Sequence, residues 1–118
     1  MKYVTPSEHM HRPEVPHRLR LLCLDVEREI RKSTPGFCWF DVMERRRNLA
    51  CQAFRVIVSV AGHDLGYSYP KIGACFWSGH VTAIDCRKRY RNRRHNPVVL
   101  MMADRILNAL RPASGEEV

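Results

Sequence analysis

The stretch Ser68-Tyr69-Pro70-Lys71-Ile72-Gly73-Ala74-Cys75-Phe76-Trp77-Ser78-Gly79-His80-Val81-Thr82-Ala83-Ile84 decides how this chain folds. Ser68 is a side chain suited to an N-cap, and Pro70 is tolerated in the first turn of a helix, where its missing N–H has no intrahelical partner anyway. The pattern predicts a short helix over about 69–76. Trp77-Ser78-Gly79 then reads as a tight turn, and a further helix begins near Gly79 or His80 and runs to about Tyr90. The unit is helix, glycine-containing turn, helix.

In such a unit the second helix buries one side on its own domain and can present the other to a DNA major groove. At about 100° per residue, Ala83, Cys86 and Tyr90 fall within about 60° of one another and form a narrow core stripe. Val81, Asp85 and Lys88 lie opposite, with His80 and Thr82 on the flanks near the helix N-terminus. These five residues are the candidate base readers. Arg87, Arg89, Arg91 and the arginines up to Arg94 lie further along, within reach of phosphates.

Outward from this unit the apolar spacing is helical almost throughout. Leu19, Leu22, Cys23, Val26 and Ile30 predict a helix from about 16 to 32, broken by Ser33-Thr34-Pro35-Gly36. After the apolar knot Phe37-Cys38-Trp39-Phe40, of which Trp39 and Phe40 read as core, Asp41 to Arg47 suggests a short helix capped by Asp41. Leu49, Ala53, Val56, Ile57 and Val60 form another stripe, although the β-branched run Val56-Ile57-Val58 leaves a strand as an alternative. Gly62 and Gly66 are expected to end it. Asn96-Pro97 is a cap and first-turn pair opening a last helix striped by Val99, Met102, Ala103, Ile106 and Leu110, with Pro112 and Gly115 beyond. The expected class is all-α, with five to six helices around a central helix-turn-helix. The helical domain spans 17–111, between a flexible N-terminal arm over 1–16 and a flexible tail over 112–118.

The chain of 118 residues carries a formal charge of +8, which its sequence distributes unevenly. Between Arg45 and Arg94 there are eleven Lys and Arg against two acids, a net of +9, while the remainder holds nine against ten. The excess gathers in Arg45-Arg46-Arg47 and in the run Arg87, Lys88, Arg89, Arg91, Arg93, Arg94. A polyanion is the partner that such clusters suit, because each phosphate neutralised releases condensed counterions.

The same residues carry a resemblance. Ser68 to Phe76 followed by Gly79 to Ile84 resembles the signature of the C-terminal DNA-binding domain of the bacterial replication initiator DnaA, which reads roughly S-L/Y-P-E-I-G-x-x-F-G-G-R-D-H-T-T-V. Upstream, Asp41-Val42-Met43-Glu44-Arg45-Arg46-Arg47 is similar to the family's D-L-L-S-K-R-R, and the likeness extends over about residues 17–111. It implies a Trp-repressor-like helical domain that binds duplex DNA, with the second helix in the major groove and a basic loop at an adjacent minor groove. Arg45, Arg46 and Arg47, with Lys71, Ser78, Arg87, Arg89 and Arg91, are then the expected phosphate or minor-groove contacts. His80 and Thr82 match the family, whereas Gly79 stands where it has an acid and Val81 where it has a hydroxyl. The turn is one residue shorter, with Trp77-Ser78 in place of Gly-Gly-Arg. Where the family carries a minor-groove arginine, this chain has Cys51 or Gln52, and Arg47 could take over from nearby. Val81 can pack on a thymine methyl, so altered specificity is the expectation.

Other chemistry finds little support in the sequence. Cys75, His80 and Cys86 lack a fourth ligand for a metal, so the five cysteines, odd in number and without a C-x-x-C pair, read as reduced small hydrophobes. His63-Asp64 reads as a polar turn. There is no phosphate-binding G-x-x-x-x-G-K-[ST] loop, so no nucleotide, cofactor or catalytic activity is expected. No apolar run approaches the ~20 residues of a membrane span. A cytoplasmic, nucleoid-associated reader acting in transcription or replication control is the leading expectation. The alternative is a helical module that binds protein or structured RNA and has lost base readout.

Overall fold

A computed structural model of the chain describes residues 15–44 and 46–111. The expectations for the arm over 1–14, for Arg45 and for the tail over 112–118 lie outside the described residues. Six helices and no strand occur among the described residues: α1 (His17–Arg31), α2 (Trp39–Met43), α3 (Leu49–Asp64), α4 (Tyr69–Ala74), α5 (His80–Arg91) and α6 (Pro97–Leu110). The all-α expectation holds. Val15, assigned by sequence to the arm, is instead buried against the core, and Pro16 is the N-cap of α1.

α3 is the axis of the molecule, with every other helix packed against it. Its sequence explains this position: Ala50, Cys51, Ala53, Phe54, Val56, Ile57, Val58, Ser59 and Gly62 are all buried, and a helix apolar on most of its circumference must be covered on most of its circumference. That burial also settles the Val56-Ile57-Val58 run as helix, since packing overrides the modest cost of β-branched side chains there. Gly62 lies inside α3 and does not end it. Its bare Cα lets Ile72 and Leu19 approach, and an added Cβ would meet their side-chain carbons at 3.1 and 3.3 Å. Gly66 is the residue that closes the helix, at φ +93°, with Tyr67 N donating to the Gly62 carbonyl and Gly66 N to that of His63. His63 and Asp64 therefore belong to the last turn of α3 rather than to a loop, and the His63 ring stacks on Tyr69 at 5.1 Å.

α2 starts earlier than the acid at 41 suggests. Cys38 is its N-cap in an extended conformation, and Asp41 sits at the third helical position, where its carboxylate accepts from Cys38 N at 3.3 Å. The next orphan donor, Trp39 N, donates a hydrogen bond to the buried carboxylate of Glu27 on α1 at 2.8 Å. The Trp39 ring is fully buried beside Phe54, 6.0 Å between centroids, and Phe54 in turn meets Phe37 at 5.8 Å and Phe76 edge-on at 6.4 Å. Phe40, also read as core, is only half-buried.

The helix-turn-helix is α4, its turn and α5. α4 ends at Ala74, two residues before the expected limit, and the chain leaves it through a turn closed by Ser78 N on the Gly73 carbonyl and Trp77 N on that of Ala74. This pairing puts its pivot in the left-handed region, and the pivot is Trp77 at φ 56°, where glycine is usual. Gly73 explains how so tight a turn fits. A Cβ there would lie 2.5 Å from the Gly79 carbonyl oxygen and 2.7 Å from that of Ser78, both backbone atoms that cannot swing aside. Gly73→Ala is expected to lower stability by ~1–3 kcal/mol, read from urea unfolding, because the turn must open to admit the methyl group.

Candidate nucleic-acid interface

α5 is the most exposed long helix. Of its twelve residues only Ala83 is fully buried, with Cys86, Tyr90, Arg87 and Thr82 half-covered against α3 and α4. The rotation expected from sequence is therefore the one observed. Val81, 67% exposed, points away from the domain together with His80, Asp85 and Lys88, while Thr82 lies on the flank toward α3.

A cleft of 680 Å³ runs along one flank of α5, lined by Arg47, Gln52 and Arg55 from the α3 side, Ser78, Gly79, Thr82, Asp85, Cys86 and Arg89 from the turn and α5, and His95 beyond it. A second groove of 450 Å³ runs along the other flank, lined by Tyr69, Ile84, Arg87, Lys88, Arg91 and Asn92. The phosphate candidates thus divide: Arg47, Ser78 and Arg89 gather on one side of the helix, Arg87 and Arg91 on the other. Lys88, read from sequence as a base contact, lines the second groove with them. Lys71 is exposed on α4 but lines neither.

The loop that carries Arg47 is pinned by α3. Gln52 Nε2 donates to the Arg47 carbonyl at 2.7 Å and Arg55 Nη2 to the Arg46 carbonyl at 2.6 Å, so the backbone before α3 is held while the Arg47 side chain stays exposed. Asn48 completes the join by accepting from Cys51 N at 2.9 Å as the α3 N-cap. Of the two residues aligned with the family's minor-groove arginine, Cys51 is buried and Gln52 is engaged with this loop, which leaves Arg47 as the exposed cation beside them. Arg46 is partly spent on acids, with Glu44 at 3.3 Å and Asp41 at 3.8 Å.

Arg55 is the member that sequence reasoning missed. It sits between Phe54 and Val56 in a run that reads as core, and only the i, i+3 spacing with Gln52 marks a polar edge on that helix. Burial pushes its guanidinium below the ordinary arginine range, with Arg47 acting in the same sense and the thiols of Cys51 and Cys86 against it. A half-buried cation with another beside it is a group whose charge an incoming anion would stabilise.

Two other expected contacts are occupied by the fold itself. Arg93 pairs with Asp104 through two hydrogen bonds of 3.0 and 2.8 Å, and Tyr90 Oη donates to the same carboxylate, which holds Asp104 below the usual carboxylate range, Arg93 being the larger influence. Arg93 itself stands at φ 55°, the pivot of the turn that closes α5 through Arg93 N on the Tyr90 carbonyl and Arg94 N on that of Arg89. Arg87 Nη1 reaches the Tyr69 hydroxyl at 3.4 Å.

Cysteine chemistry is muted here. Burial, with help from neighbouring Asp85, pushes the Cys86 thiol up to about 11, and burial raises Cys51 as well, so both are protonated near neutral pH. Cys75 is buried, whereas His80 is exposed. No cluster of three or more His, Cys, Asp or Glu suited to a metal ion occurs among the described residues, and none of their helices is long and apolar enough to cross a membrane. No family model, curated protein or solved structure matches this chain.

Proposed function

We propose that this chain is a non-catalytic, sequence-specific reader of duplex DNA, acting inside the cell in transcription or replication control. The observation that carries the reading is the placement of α5: an exposed helix whose outward face is bordered on both flanks by grooves lined with arginines. A helix lying in a major groove meets one phosphate strand on each side, and cations on both flanks suit that geometry. His80, Val81, Thr82 and Asp85 then face base edges, with Lys88 between bases and backbone. The likeness of Ser68 to Ile84 to the initiator's DNA-binding domain supports the same docking, with α5 as its reading helix.

The test is a binding titration on duplex DNA across salt concentrations. With about six phosphate contacts, log K is expected to fall with log salt at a slope of about −5, from −0.9 per contact. A flat salt response, or stronger binding to an RNA competitor than to duplex DNA, overturns the reading.

A further inference from the structure

The surface that α5 turns outward carries a single acidic side chain, Asp85. Its side chain is 57% exposed, and it stands in the wall of the cleft that holds Arg47, Arg55 and Arg89. Its contact with Arg89 is 3.7 Å, too long for a hydrogen bond, and an ion pair between two half-exposed groups adds little to stability. The fold therefore does not need a carboxylate at this position.

Near phosphates a carboxylate opposes binding to any duplex unless a donor meets it. In the major groove, cytosine offers such a donor at N4. Guanine presents only acceptors at N7 and O6, thymine an acceptor and a methyl group, and adenine sets an acceptor at N7 beside its N6 donor. Resting on the DNA reading above, we infer that Asp85 is a specificity-determining residue, which accepts from cytosine N4 at one position of the site and weakens binding to every duplex lacking cytosine there. When it does so, Arg89 is released from its loose pair to a phosphate on the cleft side.

Selection from a random duplex pool with the wild type, Asp85→Ala and Asp85→Asn, together with affinities for random-sequence duplex, tests this. The wild type is expected to enrich a motif with one cytosine preferred about 5- to 150-fold, the value of a well-placed base contact. Asp85→Ala should lose that preference and keep the remainder of the motif, while its affinity for random duplex rises up to about eightfold at ~0.1 M salt, as removal of one opposing charge allows. Asp85→Asn should exchange cytosine for adenine, whose N6 and N7 an amide pairs bidentately. An identical motif from all three proteins, or weaker binding of Asp85→Ala to random duplex, overturns the assignment. A wild type that binds no duplex overturns the DNA reading itself, and the affinity measurement separates that failure from the other.

Discussion

Replacing Arg47, Arg55 and Arg89 together with alanine is expected to weaken binding to all duplex sequences by about 500-fold at ~0.1 M salt, since three contacts at 0.9 each remove nearly three decades relative to 1 M salt. The three line one cleft beside α5 but come from three places in the chain, the loop before α3, α3 itself and the third turn of α5. The salt slope should become shallower by about 2.7 at the same time. The measurement is fluorescence anisotropy over a salt series, with circular dichroism confirming the helical signal. A loss restricted to one sequence, with the slope unchanged, would assign these residues to base reading instead. Arg55 is half-buried and holds the Arg46 carbonyl, so Arg55→Gln, which keeps a donor, separates charge from positioning.

Trp39→Ala is expected to cost ~3–5 kcal/mol, the range for removing a fully buried aromatic side chain. Against a total of about 5–15 kcal/mol for a small domain, that removes from about a fifth to all of the stability. The reason lies in what Trp39 joins. Its ring fills the space beside Phe54, and its Nε1 donates to the Cys75 carbonyl at 2.7 Å, so the short α2 is bonded to the point where α4 ends and the helix-turn-helix turn begins. Trp39→Phe keeps most of the volume and strands that carbonyl, for a loss of ~1–3 kcal/mol. Urea unfolding of both variants orders them; equal losses would mean that the hydrogen bond, not the packing, dominates.

The helices were legible because their apolar residues repeat at helical spacing, and the Asn96 cap was legible because a side chain two residues from its partner needs no tertiary information. Asn96 indeed accepts from Val98 N at 2.8 Å. Asp41 misled because two residues of α2 precede it and because the Trp39 N–H is satisfied by Glu27, twelve positions upstream, a partnership that only folding creates. Gly62 misled for a similar reason: as a helix breaker it is a local signal, but its role is to let Ile72 and Leu19 close on α3.

The candidate interface was legible in its rotation and in its charge, since α5 presents the side expected. What the sequence concealed was how the charge is shared out. Arg93 is paired with Asp104 and Arg46 partly with nearby acids, while Arg55, surrounded by apolar neighbours in the chain, joins the cleft. Side-chain partners drawn from different helices decide these assignments, and a linear pattern does not contain them.

Because α5 commits a single fully buried side chain, Ala83, to the core, its outward positions can change identity at little cost to the remainder of the domain. Residues such as Val81, Ile84, Asp85 and Lys88 are decoupled from folding, while the scaffold that aims them rests on Trp39, Phe54, Gly73 and the closed turn. On the proposed reading, binding preference and stability thus occupy separate sets of positions. A lineage carrying this domain could drift to a new target by substitutions on one helix, without first acquiring compensating changes in the interior.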